Sequence, residues 1–249
     1  MKIPAMLSIG FLLIPFFLSC AFAQTVASIP PPDGYVRQPD NPDSYLNYLR
    51  SLPLSADEQV KLWDGTKLPK DYYQQFAVID LPLLYDQDIE QCADFSMRLW
   101  AEYLKSINSL DNLALFDFYG RKKPFSKSNK TFREYLRWHM QFSNSYSVKL
   151  GTQSINILSE VQAGDMFVQN DSEEGIGHVS VVIDQATNDI GQNIYLVGYS
   201  FMPAQQFHIE KSSEQYGPQG WFTAQGYYEY AEHAFGSFGR TKIRRYEKY

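Results

Sequence analysis

Two residues of this chain combine the chemistry of a nucleophile and a base: Cys92 and His178. The run Asp88-Ile89-Glu90-Gln91 before the cysteine has the D-x-x-Q form of a capping box, which predicts that a helix begins at Asp88 and that Cys92 lies in its first turn. Unpaired backbone N–H groups in that turn favour a thiolate, and they can also hold an oxyanion. Position alone is more typical of a cysteine that only packs, and the exported context together with His178 favours the reactive role.

His178 begins an alternating apolar segment, His178–Asp184, after a glycine-rich approach. The period of two predicts a strand with His178, Ser180 and Val182 on one face and the intervening apolar residues on the other. An imidazole at a strand start can take a proton from a thiol. The pair therefore predicts nucleophilic catalysis, in which Cys92 attacks an amide or ester carbonyl and His178 transfers the proton.

A third residue should orient the imidazole. If the strands around His178 and Tyr199 form a hairpin that turns near Asp189, Ser200 falls opposite His178. Ser200 and Gln205 are therefore the catalytic candidates, with a turn hydrogen bond as the alternative role for both. Two amides are candidates for an oxyanion hole and two aromatic residues for substrate contact: Gln91, Gln87, Trp221 and Tyr199. Core packing is the alternative for Trp221.

Composition and spacing exclude several classes of function. The remaining histidines, His139, His208 and His233, lack metal-ligand spacing, so neither a metal nor another cofactor is expected. A net charge of −6 gives no basic footprint for nucleic acid. Arg98 and Glu102 stand four apart and are expected to form a surface pair on the helix.

The first 23 residues have the pattern of a secretory signal peptide: a basic tip, an apolar run from Ala5 to Leu18, and Ala21-Phe22-Ala23 before the cleavage point. The alternative is a lipoprotein box, Phe17-Leu18-Ser19-Cys20, with a lipid anchor on Cys20. No later apolar run approaches the ~20 residues of a membrane helix. We expect an exported protein of the periplasm or cell envelope, in which an unpaired Cys92 is either inert or retained for its reactivity.

The order of predicted elements favours an α+β domain. Residues 24–44 are rich in proline and are expected to form an extended tether outside the core. Residues 45–249 then give helices first and closely spaced strands later, which is typical of one domain with a mainly antiparallel sheet. The predicted helices are 44–49, 88–106 and 130–142, and the predicted strands are 76–81, 165–169, 178–184, 194–201, 206–210 and 241–246.

The segments Ala163–Val168 and Gly177–Val182, together with the helix-start Cys92, resemble the NlpC-type papain-like cysteine peptidases of bacterial cell walls. That resemblance implies a papain-like fold with the cysteine helix packed on the sheet, and a peptide or peptidoglycan fragment as substrate. The family's Asp-Cys-Ser-Gly appears here as Gln91-Cys92-Ala93-Asp94. The cysteine-to-histidine spacing is also longer than is typical, which implies a helical insertion at about 107–150.

A second resemblance covers almost the whole chain after the leader. The chain is similar to the secreted bacterial proteins grouped as domain-of-unknown-function family 4846, on motifs that include Gln91-Cys92-Ala93-Asp94, Gly164-Asp165-Met166-Phe167 and Gly177-His178-Val179. This similarity implies fold and family rather than activity.

Two functions from different classes follow. The first is a cysteine amidase or endopeptidase that acts on peptidoglycan stem peptides, or an acyl transferase that uses the same pair. The second is a non-catalytic module that keeps the peptidase-like fold and binds an envelope ligand. The thiol distinguishes them, since a pKa well below the free value of about 8.5 indicates an enzyme and a buried, unreactive thiol indicates a binder.

Overall fold

The computed structural model describes residues 24–170 and 177–248. The predicted signal peptide, with Cys20 and the alternative lipid anchor, and the Gly175-Ile176 approach to His178 lie outside these residues. In the part of the chain that is described, no helix is both long and apolar enough to cross a membrane.

The described α-helices lie before residue 152, apart from one near the end of the chain. Their bounds are α1 Tyr45–Arg50, α2 Cys92–Ser106, α3 Phe132–Phe142, α4 Ser145–Gly151 and α5 Ala224–Phe235. The strands are β1 Tyr35–Val36, β2 Gln75–Val78, β3 Ala114–Phe116, β4 Lys122–Pro124, β5 Gln153–Ile155, β6 Met166–Gln169, β7 His178–Asn188, β8 Asn193–Tyr199, β9 His208–Glu210, β10 Phe222–Thr223 and β11 Thr241–Arg245. The predicted strands and the longer helices are thus present with shifted ends, while α4 and α5 were not anticipated.

One antiparallel sheet organises the domain, with the strand order β2-β9-β8-β7-β6-β11-β5, while β1 pairs with β7 and β10 with β8. β3 and β4 form a separate two-stranded sheet. Every pairing in the main sheet is antiparallel. The prediction of an α+β fold with a mainly antiparallel sheet is confirmed.

The central strand β7 separates two apolar clusters. On one face, α2 packs Phe95 and Leu99 into the cluster that contains Val179 and Val181. On the other face, α5 packs Phe235 into the cluster of Val182 and Tyr199. Alternation along β7 therefore sends neighbouring side chains to different helices.

The proline-rich segment before residue 45 holds a short 3-10 helix at Val26–Ser28, and it packs on the domain. Val26 is fully buried, and β1 adds to β7 through Tyr35 and Val36. The guanidinium of Arg37 donates to Asp184 at 2.6 Å, which fixes the segment on the sheet. The prediction of a tether outside the core was wrong for this part, because a buried apolar side chain and strand pairing hold it.

Residues 107–150, the predicted insertion, hold the β3–β4 hairpin, α3 and α4. The Tyr135 hydroxyl on α3 accepts from Leu115 N–H and donates to the Lys123 carbonyl, which joins α3 to both strands. α3 and α4 both pack against α2. This subdomain therefore builds one wall beside the start of α2.

Candidate functional site

The start of α2 is fixed by a carboxylate that follows the cysteine. Gln91 is the N-cap, and its backbone N–H donates to Asp94 Oδ2 at 2.9 Å. Asp88, predicted as the N-cap, instead accepts from Ala204 N–H at 2.6 Å. The N-cap thus lies three residues later than predicted, and the expectation that Cys92 lies in the first turn of the helix is met.

The Cys92 thiol lies against the backbone on both sides of His178. Its Sγ is 3.9 Å from the Gly177 carbonyl oxygen, and the Val179 backbone N–H hydrogen-bonds to the sulfur. Only 8% of the residue is exposed. Burial raises the pKa of the Cys92 thiol to about 12, an effect that the Val179 N–H only partly offsets. The sulfur is therefore a neutral thiol in this arrangement.

A cavity of about 460 Å³ opens at the start of α2. Its walls are the segment before α2, the first turn of α2, and the junction between α3 and α4. Most of its polar groups are amides, hydroxyls and carboxyls, and no described lysine or arginine lines it. The lining residues are Asp88, Ile89, Gln91, Cys92, Ala93, Asp94, Met140, Gln141, Ser143, Asn144, Ser145, Gly177 and Met202.

His178 lies in an aromatic environment. Its ring stacks on Phe235 with centroids 3.9 Å apart and meets the Tyr199 ring edge-on at 5.0 Å. Among the described residues, neither ring nitrogen has a hydrogen-bond partner. Burial, and secondarily repulsion from His208, lowers the pKa of His178 to about 3. The imidazole is neutral and faces α5.

The structure therefore does not bring the two predicted catalytic groups together. Cys92 lies on the α2 side of β7, whereas the His178 ring belongs to the cluster on the α5 side. The strand backbone from Gly177 to Val179 separates them. A proton transfer between thiol and imidazole would require the side chain of His178 to change faces, so the pairing of these residues stays a prediction.

The two candidates for a third catalytic residue contact each other instead of His178. Ser200 Oγ donates to the Gln205 carbonyl at 2.8 Å, which is the turn hydrogen bond considered as the alternative. The Gln205 amide oxygen accepts from Tyr73 at 3.3 Å. Continuing the register of Val181 with Gly198 places Phe201, not Ser200, across from His178. The hairpin turns where predicted, but the register is offset by one residue.

The predicted substrate contacts are buried. Tyr199 is 3% exposed, and its hydroxyl donates to Glu210 at 2.8 Å. Trp221 is fully buried, and its indole donates to the Pro30 carbonyl at 3.1 Å. Neither can contact a ligand in this arrangement, and their prediction as substrate contacts is corrected to core packing.

The two predicted oxyanion donors lie in different places. Gln91 lines the Cys92 cavity, although its side-chain amide donates to Asp88 at 3.0 Å. Gln87 lies in a neighbouring cavity and accepts from Arg137 at 2.8 Å. Gln91 can reach a bound group near the sulfur by exchanging its partner, whereas Gln87 belongs to the second cavity.

Asp94 is a site residue that the sequence reasoning missed. It is 6% exposed, lines the cavity, and its Oδ1 has no hydrogen-bond partner within the part of the chain that is described. Burial raises the pKa of this carboxyl well above its usual value, and the Gln91 N–H opposes the shift. The signal was present in the sequence, since Gln91 and Asp94 also have capping-box spacing.

Arg98 is buried rather than exposed on the surface of α2. It donates to Glu90 at 2.5 Å and to Glu102 at 2.8 Å, with its side chain only 4% exposed. The predicted pair with Glu102 exists, but the prediction of a surface location was wrong because the segment before α2 covers the guanidinium through Glu90 and the Pro82 carbonyl. This ion cluster holds the cavity wall to the helix.

Among residues 24–170 and 177–248, no group of three or more acidic, histidine or cysteine side chains could hold a metal ion. Comparison with curated proteins and with solved structures gives no significant match. The family model described as "Domain of unknown function (4846)" matches residues 26–126 and 116–245, which together span the domain and both sides of the Cys92 cavity. The chain belongs to this family of domains of unknown function.

Proposed function

We propose that this protein is a non-catalytic binding module of the cell envelope whose Cys92 cavity holds a peptide, and that the peptide is a peptidoglycan stem fragment. The observation that carries the proposal is the separation of thiol and imidazole by the backbone of β7. A neutral, buried thiol without a base beside it packs and contacts a ligand, but it is not activated for attack.

The lining of the cavity supports a peptide as the ligand. Gln91, Gln141 and Asn144 carry amides, and Ser143 and Ser145 carry hydroxyls. Such groups can pair with the backbone N–H and C=O groups of an extended peptide. The resemblance to wall peptidases narrows the ligand to stem peptides, and the expected signal peptide narrows the compartment to the envelope.

Binding is tested by titration calorimetry with a synthetic stem tetrapeptide. The wild-type protein and the Cys92→Ala variant should both bind it, because the thiol is not the source of affinity. The Gln141→Trp variant should lose binding by filling the cavity, whereas Gln225→Trp on the exposed side of α5 is the matched control and should bind normally. If titration of the tetrapeptide into the wild-type protein gives no heat of binding, the proposal is overturned.

The second candidate is the predicted cysteine hydrolase. The position of Cys92 favours it. This residue is the first of α2, lines a cavity, and accepts a hydrogen bond from a backbone N–H. The same tetrapeptide, incubated with protein and analysed by mass spectrometry, separates the candidates. Intact peptide supports the binder, whereas cleavage or transfer that disappears in Cys92→Ala supports the enzyme and shows that His178 or another base reaches the thiol.

A further inference from the structure

A second cavity lies beside the first, next to the segment before α2 and helix α3. Its volume is about 430 Å³, and it is lined by Tyr85, Asp86, Gln87, Thr131, Arg133, Glu134 and Arg137. The same two elements contribute to both cavities, since Gln87 of one precedes Asp88 of the other, and Arg137 stands one helical turn before Gln141 on α3. A ligand seated at Cys92 can therefore extend into the second cavity.

Two arginines dominate the second cavity. Arg133 and Arg137 are four apart on α3, so they lie on the same face of the helix. Both guanidiniums lie over the Tyr85 ring, at 5.0 and 5.4 Å from its centroid. The aromatic ring thus holds two exposed cationic side chains side by side, which reduces the entropy lost when they bind a ligand.

Neither arginine is neutralised by a carboxylate within the described residues. The ion pairs there involve other basic residues, and Arg137 donates only to the neutral Gln87 amide, at 2.8 Å. Of the two acidic residues in the lining, Glu134 is occupied by the capping of α3, where it accepts from Thr131 at 2.8 Å. The other, Asp86, forms no ion pair with either guanidinium.

We propose that Arg133 and Arg137 bind a carboxylate of the ligand that occupies the Cys92 cavity. The proposal rests on the proposed function and names its ligand class as peptides with a free carboxyl group. A guanidinium matches a carboxylate through two parallel N–H···O bonds, and Arg137 can exchange its neutral amide partner for such a charged one. The Cys92 cavity, lined by Asp88 and by no basic side chain among the described residues, disfavours the same group, so the carboxylate is directed to the arginine side.

The test compares one stem tetrapeptide in two forms, the C-terminal acid with all carboxyl groups free and the fully amidated form. The acid should bind wild-type protein at least about tenfold more tightly. The Arg133→Gln and Arg137→Gln variants should lose that preference while their affinity for the amidated form stays unchanged. Lys130→Gln removes the same charge from an exposed position next to α3 but outside the cavity, and it should keep the preference.

The outcomes separate this proposal from the one on which it rests. Equal binding of both forms, with no effect of the arginine variants, overturns the carboxylate site and leaves peptide binding standing. Absence of binding by either form overturns both. Inorganic phosphate is included as a competitor: if it binds more tightly than the acid peptide and loses that affinity in Arg137→Gln, the anion is a phosphate and the carboxylate assignment is wrong.

Discussion

Two of the buried groups beside β7, the thiol of Cys92 and the imidazole of His178, are held in their neutral forms because neither is compensated by a charged partner. Burial raises the pKa of the thiol to about 12 and lowers the pKa of the imidazole to about 3. A catalytic thiolate–imidazolium pair requires the opposite shifts. In this arrangement the two residues contribute to packing, as the proposed binding module requires.

His178 should make stability depend on pH. Its folded pKa of about 3 lies below the usual value of 6.5, so the unfolded chain binds the proton more readily below pH 6.5. The free energy of unfolding should fall as the pH drops from 6.5 towards 3, with a contribution of up to about 1.4 kcal/mol per pH unit from this group. His178→Phe should remove that contribution and fold at pH 7, because an aromatic ring fits against Phe235.

Urea unfolding of wild-type protein and His178→Phe at pH 7, 6 and 5 measures this dependence. The difference between their unfolding free energies should move in favour of the variant at each lower pH. Parallel profiles would contradict the buried, neutral imidazole and would indicate that His178 is accessible to solvent or paired with an acidic group.

The prediction of the site depended on knowing which face of β7 each helix covers. Alternation in the sequence correctly separates His178 from Val179 and Val181, and the apolar stripe on the cysteine helix shows which side of α2 is buried. The sequence does not state which face of the strand that helix covers. Because α2 covers the Val179 face, the His178 imidazole projects from the opposite face of β7. Packing across the whole sheet determines which face α2 covers.

At the scale of the helix, two capping patterns compete at the start of α2. Asp88 with Gln91 and Gln91 with Asp94 both have the required spacing, and local sequence does not choose between them. The segment after β8 determines which pattern is used. The Ala204 N–H donates to the Asp88 carboxylate, so Asp94 caps the helix instead. Predictions of helix ends fail in this way when a distant backbone group takes the capping side chain.

Arg98 should be important for holding α2 to the cavity wall. Arg98→Met leaves Glu90 buried without its cation, and the unfolding free energy should fall by about 3–5 kcal/mol at pH 7. Glu90 can then relieve the loss by taking up a proton, because burial already raises its pKa. The deficit should therefore be smaller at pH 5 than at pH 7.

Thermal and urea unfolding at both pH values check this prediction. The double variant Arg98→Met/Glu90→Gln should recover part of the loss, since no charge is then left buried. Arg121→Met is the matched control, because the Arg121 side chain is 69% exposed in its pair with Asp117 and should change stability little. A deficit that is the same at both pH values would mean that Glu90 is solvated.

Gly177 should tolerate no side chain. A Cβ at this position would collide with the Ser145 hydroxyl and the Gln169 carbonyl, and the carbonyl belongs to strand backbone that cannot move freely. Gly177→Ala should lower the unfolding free energy by about 1–3 kcal/mol and reduce peptide binding, because α4 must shift away from the cavity. Gly236→Ala, at an exposed position where a Cβ meets nothing and the backbone is in the right-handed region, is the control and should change neither stability nor binding much.

At the scale of the whole molecule, the α+β architecture was predictable because its strands alternate and its longer helices have apolar stripes. The position of the N-terminal segment was not. Its proline content is typical of a linker, and two of the bonds that dock it connect residues far apart in sequence: Arg37 to Asp184, and Trp221 to the Pro30 carbonyl. Composition describes the local chain stiffness but not such long-range partners.

Asp184 should therefore control whether the N-terminal segment stays on the sheet. This fully buried carboxylate accepts from Arg37 at 2.6 Å and from Arg50 at 2.7 Å, so one group joins the segment, α1 and β7. Asp184→Asn leaves both guanidiniums without their anion, and the unfolding free energy should fall by about 3–5 kcal/mol. Limited proteolysis should then cut between residues 30 and 44 well before it cuts the domain.

Asp57→Asn, at the more exposed pair with Lys61 and Lys67, is the control and should leave the digestion pattern unchanged. If Asp184→Asn digests like the wild-type protein, strand pairing by β1 and the burial of Val26 are sufficient to hold the segment, and the ion cluster contributes only to the stability of α1.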